Sequence, residues 1–166
     1  MELPKRKRTR LQNYDYDAPG YYFITVCTKE KKKILCDIRA DGPAGDVLID
    51  YSGYGRAVRE QLEYMTDFYP DIKIDKFVIM PNHIHMILRT VGEKGPDEGV
   101  GRAVNSRVSG FVGTFKRFSN KKCGADLWQD RSYDHVIRGE ADYREIWNYI
   151  EGNPSRWTED KLYISD

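Results

Sequence analysis

The chain has 166 residues, 40% hydrophobic and 32% charged, with a formal net charge of +1. This suits one soluble globular domain with a real core and excludes a low-complexity chain. Total charge does not point to nucleic acid, but its distribution is uneven. Lys5, Arg6, Lys7, Arg8 and Arg10 crowd the N-terminus, and Gly99 to Lys122 holds six basic residues and no acidic one. Such patches serve either as footprints for a phosphate backbone or as solvated faces. Aromatics make up 13%, including twelve Tyr, which suits stacking surfaces as well as core filling. Cys27, Cys36 and Cys123 are odd in number and lack metal-like spacing, so they read as reduced thiols. No apolar run approaches the roughly 18 residues of a membrane span, and the basic start lacks the apolar stretch of a signal peptide. The expectation is a cytoplasmic protein of one domain over 1–166, with a leader over 1–13 and a tail over 154–166.

In chain order, the run Tyr21 to Cys27 is aromatic and β-branched and predicts a strand. A short apolar piece at Ile34-Leu35 precedes a turn-rich stretch from Asp41 to Gly45. Val58, Leu62, Met65 and Tyr69 recur at helical spacing and predict a helix that stops before Pro70. Lys73 to Met80 predicts a strand, Pro81-Asn82 a tight connection, and His83 to Arg89 its antiparallel neighbour. After a loop from Gly92 to Gly99, Val104, Val108, Phe111, Phe115 and Phe118 form the apolar stripe of a second helix. Arg102, Arg107, Lys116 and Arg117 fall largely away from that stripe. Ser132 to Arg138 predicts another strand, and a last helix runs from about Glu140 to Asn153, ended by Pro154. The Pro81-Asn82 connection is too short for a parallel crossover, which favours an antiparallel sheet with helices packed on it, the α+β class.

The segment richest in chemistry is Met80-Pro81-Asn82-His83-Ile84-His85. Alternation along a strand puts His83 and His85 on one face, where two imidazoles can close on one divalent ion. The same pattern also fits two polar groups on a half-exposed strand. A site of this kind needs a third ligand. Tyr149 and Asn153 are four residues apart and share a helix face, so that face can bring a phenol and an amide oxygen toward the histidines. The competing assignment is a packed Tyr and an Asn that caps the turn before Pro154.

Three stretches, in order, carry a resemblance. They are Met80 to His85, Trp128-Gln129 through Tyr133-Asp134-His135-Val136-Ile137-Arg138, and Tyr149-Ile150-Glu151-Gly152-Asn153-Pro154. With the run from Tyr14 to Thr25, they resemble the REP-associated tyrosine transposases, relatives of the smallest insertion-sequence transposases in the superfamily named for a His-hydrophobic-His motif. The resemblance covers nearly the whole chain. It implies a ferredoxin-like sheet with the histidine pair on a central strand and the nucleophilic tyrosine on a C-terminal helix. Carried over, His83 and His85 are metal ligands, Asn153 is the third ligand and Tyr149 is the nucleophile. The metal would be Mg²⁺ or Mn²⁺, of which imidazole suits Mn²⁺ better.

The resemblance further implies attack by the Tyr149 oxygen on phosphorus in single-stranded DNA, release of a 3′-hydroxyl and a 5′-phosphotyrosine intermediate. The substrate would be repeated palindromic hairpin DNA, and the enzyme a monomer or homodimer. A free phenol has a pKa of about 10 and needs activation, for which the sequence names no base. Lys5, Arg6, Lys7, Arg8, Arg10, Arg102, Arg107, Lys116 and Arg117 are the candidates for phosphate contact. Tyr133 and Tyr143 are rival nucleophiles by residue type, and His135 lines the site or is structural. Two other functions compete: a non-catalytic hairpin-binding module derived from such a transposase, and a phosphodiesterase that uses water.

Overall fold

The computed structural model describes residues 20–41, 46–92 and 107–165. Its centre is a four-stranded sheet in the order β4-β5-β1-β6, built from β1 (Gly20–Thr28), β4 (Ile72–Met80), β5 (His83–Thr90) and β6 (Trp128–Ile137). The neighbouring pairs are antiparallel. Helices α1 (Gly53–Phe68) and α2 (Arg107–Cys123) cover one face, and α3 (Glu140–Gly152) covers the other. The order of main-sheet strands and the two crossover helices match the expected α+β, ferredoxin-like class.

β1 and β5 occupy the middle of the sheet and are buried on both faces along most of their length, as expected of strands with a layer on either side. Strand alternation then decides which residues face which layer. Tyr22, Ile24, Val26, Ile84, Met86 and Leu88 point toward α1 and α2, where Leu62, Met65, Phe111 and Phe115 meet them in an apolar cluster. Phe23, Val78, Met80 and Ile87 point the other way, against Ile146, Ile150 and Trp157.

Local signals fix the element ends. The Gly55 N–H donates to Ser52 Oγ (3.0 Å), which caps α1. Gly55 itself is required by crowding, since a Cβ there would lie 1.9 Å from the Leu35 carbonyl oxygen. α1 stops at Phe68, two residues before Pro70, as expected. β6 starts at Trp128, four residues earlier than its apolar pattern indicated. The start of the second helix expected around Val104 lies outside the described residues.

A separate hairpin, β2 (Cys36–Asp41) with β3 (Asp46–Tyr51), was not among the expected elements. Its alternation is shallow because charged residues occupy much of it (Asp37, Arg39, Asp46, Asp50), and only one side packs on the body. Beyond α3, the segment expected as a tail forms a 3-10 turn over Pro154–Glu159, with Trp157 buried beneath it.

Candidate active site beneath α3

β5 carries His83 and His85 toward α3, both essentially fully buried. Their ring centroids are 4.4 Å apart. Each ring is oriented through Nδ1. The Asn82 amide nitrogen donates to the carbonyls of Lys31 (3.3 Å) and Leu162 (2.9 Å), so its Oδ1 faces His83 Nδ1 at 2.8 Å as an acceptor. His83 therefore carries its proton on Nδ1 and presents a bare lone pair at Nε2. His85 Nδ1 is fixed by Thr25 Oγ1 at 2.7 Å across the β1–β5 pair. Burial pushes the His83 imidazolium down to about 4 and His85 well below its ordinary value. Both rings are thus neutral near pH 7, the form that ligates metals.

α3 docks through Ile146 and Ile150, and this packing delivers Tyr149 to the histidines. Its hydroxyl lies 3.4 Å from His85 Nε2 and 3.3 Å from Asp160 Oδ2. Burial first, and then the Asp160 carboxylate, raise the phenol to about 12. Asn153, one turn on, is 3% exposed and donates from Nδ2 to Asp160 Oδ2 at 2.6 Å. Its Oδ1 is buried without a partner, and so is His83 Nε2.

Asp160 is the residue that sequence reasoning missed. The 3-10 turn after Pro154 folds back and inserts this carboxylate, its side chain fully buried, 3.9 Å from His83 Nε2. Its Oδ1 accepts from the Leu162 N–H (2.7 Å), and its Oδ2 accepts from Asn153 and Tyr149. These donors are neutral, and His83 is held neutral too. His83, His85 and Asp160 present ligand atoms that all lie within 4.8 Å of one another. Two imidazole nitrogens, a carboxylate and an unpaired amide oxygen form a donor set that fits a divalent transition metal. The two orphaned acceptors, His83 Nε2 and Asn153 Oδ1, are the observation that favours this fit.

The remaining expected residues fall elsewhere. Tyr143 donates to Asp75 Oδ2 (3.2 Å) and packs edge-on against Tyr21, which ties α3 to the sheet. His135 pairs with Asp142 (2.9 Å) at the start of α3. Tyr133 is half-exposed on β6. Arg107 turns inward, donating to the Val91 carbonyl (3.1 Å) and lying 3.5 Å from Asp71. Lys116 donates to the carbonyls of Gln129 (2.8 Å) and Asp130 (3.3 Å). Arg117 is solvent-exposed beside Phe118. Lys5, Arg6, Lys7, Arg8, Arg10 and Arg102 lie outside the described residues.

Residues 16–153 match the family model described as "Transposase IS200 like". The chain belongs to the IS200-like transposase family. A Haemophilus influenzae protein of uncharacterised function is 32% identical over 96% of this chain and 93% of its own length. A second H. influenzae protein, provisionally named as a REP-associated tyrosine transposase, is 24% identical over 87% of this chain and 76% of its own. A solved structure of a REP-associated tyrosine transposase bound to a REP hairpin shares the fold, with a TM-score of 0.61 at 21% identity, covering 92% of this chain and 77% of that one. The expected kinship with REP-associated transposases is thus supported. The family match stops before Asp160. Among the described residues no helix is long and apolar enough to cross a membrane.

Proposed function

We propose that this transposase-family chain is a metal-dependent single-stranded DNA endonuclease and strand transferase that forms a 5′-phosphotyrosine bond through Tyr149. The observation that carries the reading is the meeting of the Tyr149 hydroxyl with His85 Nε2 in a buried, neutral histidine pair, beside a His83 Nε2 that has no hydrogen-bond partner. His83, His85 and Asp160 would hold a divalent ion, Mn²⁺ or Mg²⁺, with the Asn153 amide oxygen as a further donor. When bound, that ion supplies Lewis-acid stabilisation of charge on the scissile phosphate.

The chain's own residues do the rest. Tyr149 oxygen forms the new bond to phosphorus as the bond to the 3′-oxygen breaks, and that oxygen takes a proton from solvent and leaves as a hydroxyl. Of the two groups that contact the phenol, His85 would turn Nε2 to the ion, and the Asp160 carboxylate, which already accepts from the phenol, is the group to take its proton. Two carboxylate oxygens have lone pairs enough for both an ion and a phenol. The phosphotyrosine conserves the bond energy, so a second 3′-hydroxyl can reverse the step and join a new strand. Hairpin DNA is the substrate class this reading favours, since the solved relative is bound to a REP hairpin. Arg117 and the basic leader remain candidates for phosphate contact. Tyr149 and the histidine pair meet within one chain, so these steps are written for a monomer or for each half of a homodimer.

The test incubates wild type and Tyr149→Phe with labelled single-stranded DNA from the repeats flanking its own gene, plus Mn²⁺, on a denaturing gel. A covalent band in wild type, absent in the variant and in chelator, is expected. Cleavage without an adduct that survives in the variant would indicate a phosphodiesterase using water. Binding with neither would leave a non-catalytic hairpin-binding module.

A further inference from the structure

α3 packs over β4 and β5, and part of the same sheet face continues onto β1 and β6. Thr25, which fixes His85, is directly opposite Tyr133 across the β1–β6 pair. Val78, His85, Thr25 and Tyr133 therefore form one row across the sheet, all on the α3 face. With strands about 4.8 Å apart, Tyr133 starts roughly 10 Å from the His85 backbone. β6 is an edge strand, and Tyr133 is 50% exposed there.

A second observation joins this ring to the site. Lys161, next to Asp160, places Nζ 5.8 Å from the Tyr133 ring centroid. Lys161 also lines a cleft of about 310 Å³ together with Tyr149, Asn153, Arg156, Glu159 and Asp160. A continuous path thus runs from the Tyr149 hydroxyl along the cleft to a cation and then to an open aromatic face.

We propose that Tyr133 and Lys161 are positioning residues for the single strand beside the cleaved phosphate, with Tyr133 stacking one unpaired base and Lys161 taking an adjacent phosphate. This rests on the nuclease reading for the identity of the strand. An aromatic face beside a cation is the combination by which proteins hold unpaired nucleotides, and it cannot serve a duplex, whose base faces are already stacked. Isolated exposed aromatics are common on protein surfaces. This one shares a row with the histidine pair and a cation with the cleft, which sets it apart from the exposed Tyr64 and Phe68 on α1, away from the site.

Affinity is measured by fluorescence anisotropy in the Tyr149→Phe background with Mn²⁺, so that binding is read without cleavage. The probe is a hairpin with single-stranded extensions from the flanking repeats, and a series with one abasic nucleotide at each unpaired position. Tyr133→Ala weakens binding about tenfold, while Tyr133→Phe and Tyr133→Trp retain it. At one position the abasic nucleotide weakens the parent protein by a similar factor and adds nothing to Tyr133→Ala. Lys161→Ala lowers the salt slope of binding by about one. With Tyr149 present, Tyr133→Ala raises KM and leaves the adduct rate at saturating DNA unchanged. Parent-like binding by Tyr133→Ala, or losses that add at every abasic position, would overturn the proposal. Failure of wild type to form an adduct would instead sink the nuclease reading, because the binding cycle does not depend on it.

Discussion

The two faces of the sheet are made by the same strands and have opposite characters. Toward α1 and α2, β5 presents Ile84, Met86 and Leu88 to a predominantly apolar layer. Toward α3 it presents His83 and His85, and the layer above adds Tyr149, Asn153 and Asp160. A shift of one residue in register would exchange the two sets. The paired strand β1 holds that register with Thr25 opposite His85 and Val26 opposite Ile84. The first face stabilises the fold through burial. The second gives up part of that stabilisation to hold polar groups, of which His83 Nε2 and Asn153 Oδ1 have no hydrogen-bond partner. A ferredoxin-like sheet can carry this arrangement because the face toward α1 and α2 holds the larger apolar cluster, while Phe23, Val78, Met80 and Ile87 still anchor α3 around the polar groups.

The contrast can be broken most severely from the apolar side. Phe111→Ala on α2, at a fully buried position, should cost about 3–5 kcal/mol in urea unfolding. Metal affinity of the folded fraction should stay unchanged. A comparable loss of affinity would mean that the faces are coupled.

Acid should act on the opposite face. His83 is held down to about 4 by burial, and His85 shifts the same way. The unfolded chain binds these protons near pH 6.5 and the folded apo-protein does not. Their contribution is therefore fully present above pH 6.5 and is lost as pH falls toward 4, on the order of 3 kcal/mol for His83. Urea unfolding of metal-free protein across that window measures it. The double variant His83→Gln/His85→Gln should flatten the curve, and an unchanged curve would reassign the acid sensitivity to other groups.

Metal should sharpen the contrast with a smaller effect. At a hundredfold excess over Kd, Mn²⁺ should stabilise the protein by about 2.7 kcal/mol, a Tm rise of roughly 5–10 °C that EDTA reverses. Asp160→Ala should abolish most of it. Hydrogen exchange should slow in α3 and in Pro154–Glu159, with α1 and α2 unaffected.

The elements that surround the site were legible because each carries a strong local pattern. The β-branched run of β1, the paired strands around Pro81-Asn82 and the stop at Pro154 all follow from side-chain period and proline geometry. The hairpin β2–β3 was not legible, because charged residues dilute its alternation and only one side packs. The histidine pair and Tyr149 were readable as motif positions on a strand and a helix. Asp160 was not, because its placement depends on a 3-10 turn folding back through Trp157 burial, a long-range event with no period of its own. Arg107 shows the same limit in reverse: its helical position suggested a solvent face, yet Val91 and Asp71 draw it inward.

The most direct test of the central claim is to digest the wild-type reaction with protease and nuclease and sequence the modified peptide by mass spectrometry. A nucleotide 5′-phosphate on Tyr149, within the peptide that contains Ile150 and Asn153, is the predicted result. The same modification on Tyr133, Tyr143 or any other residue, or cleaved DNA with no modified peptide, would contradict it.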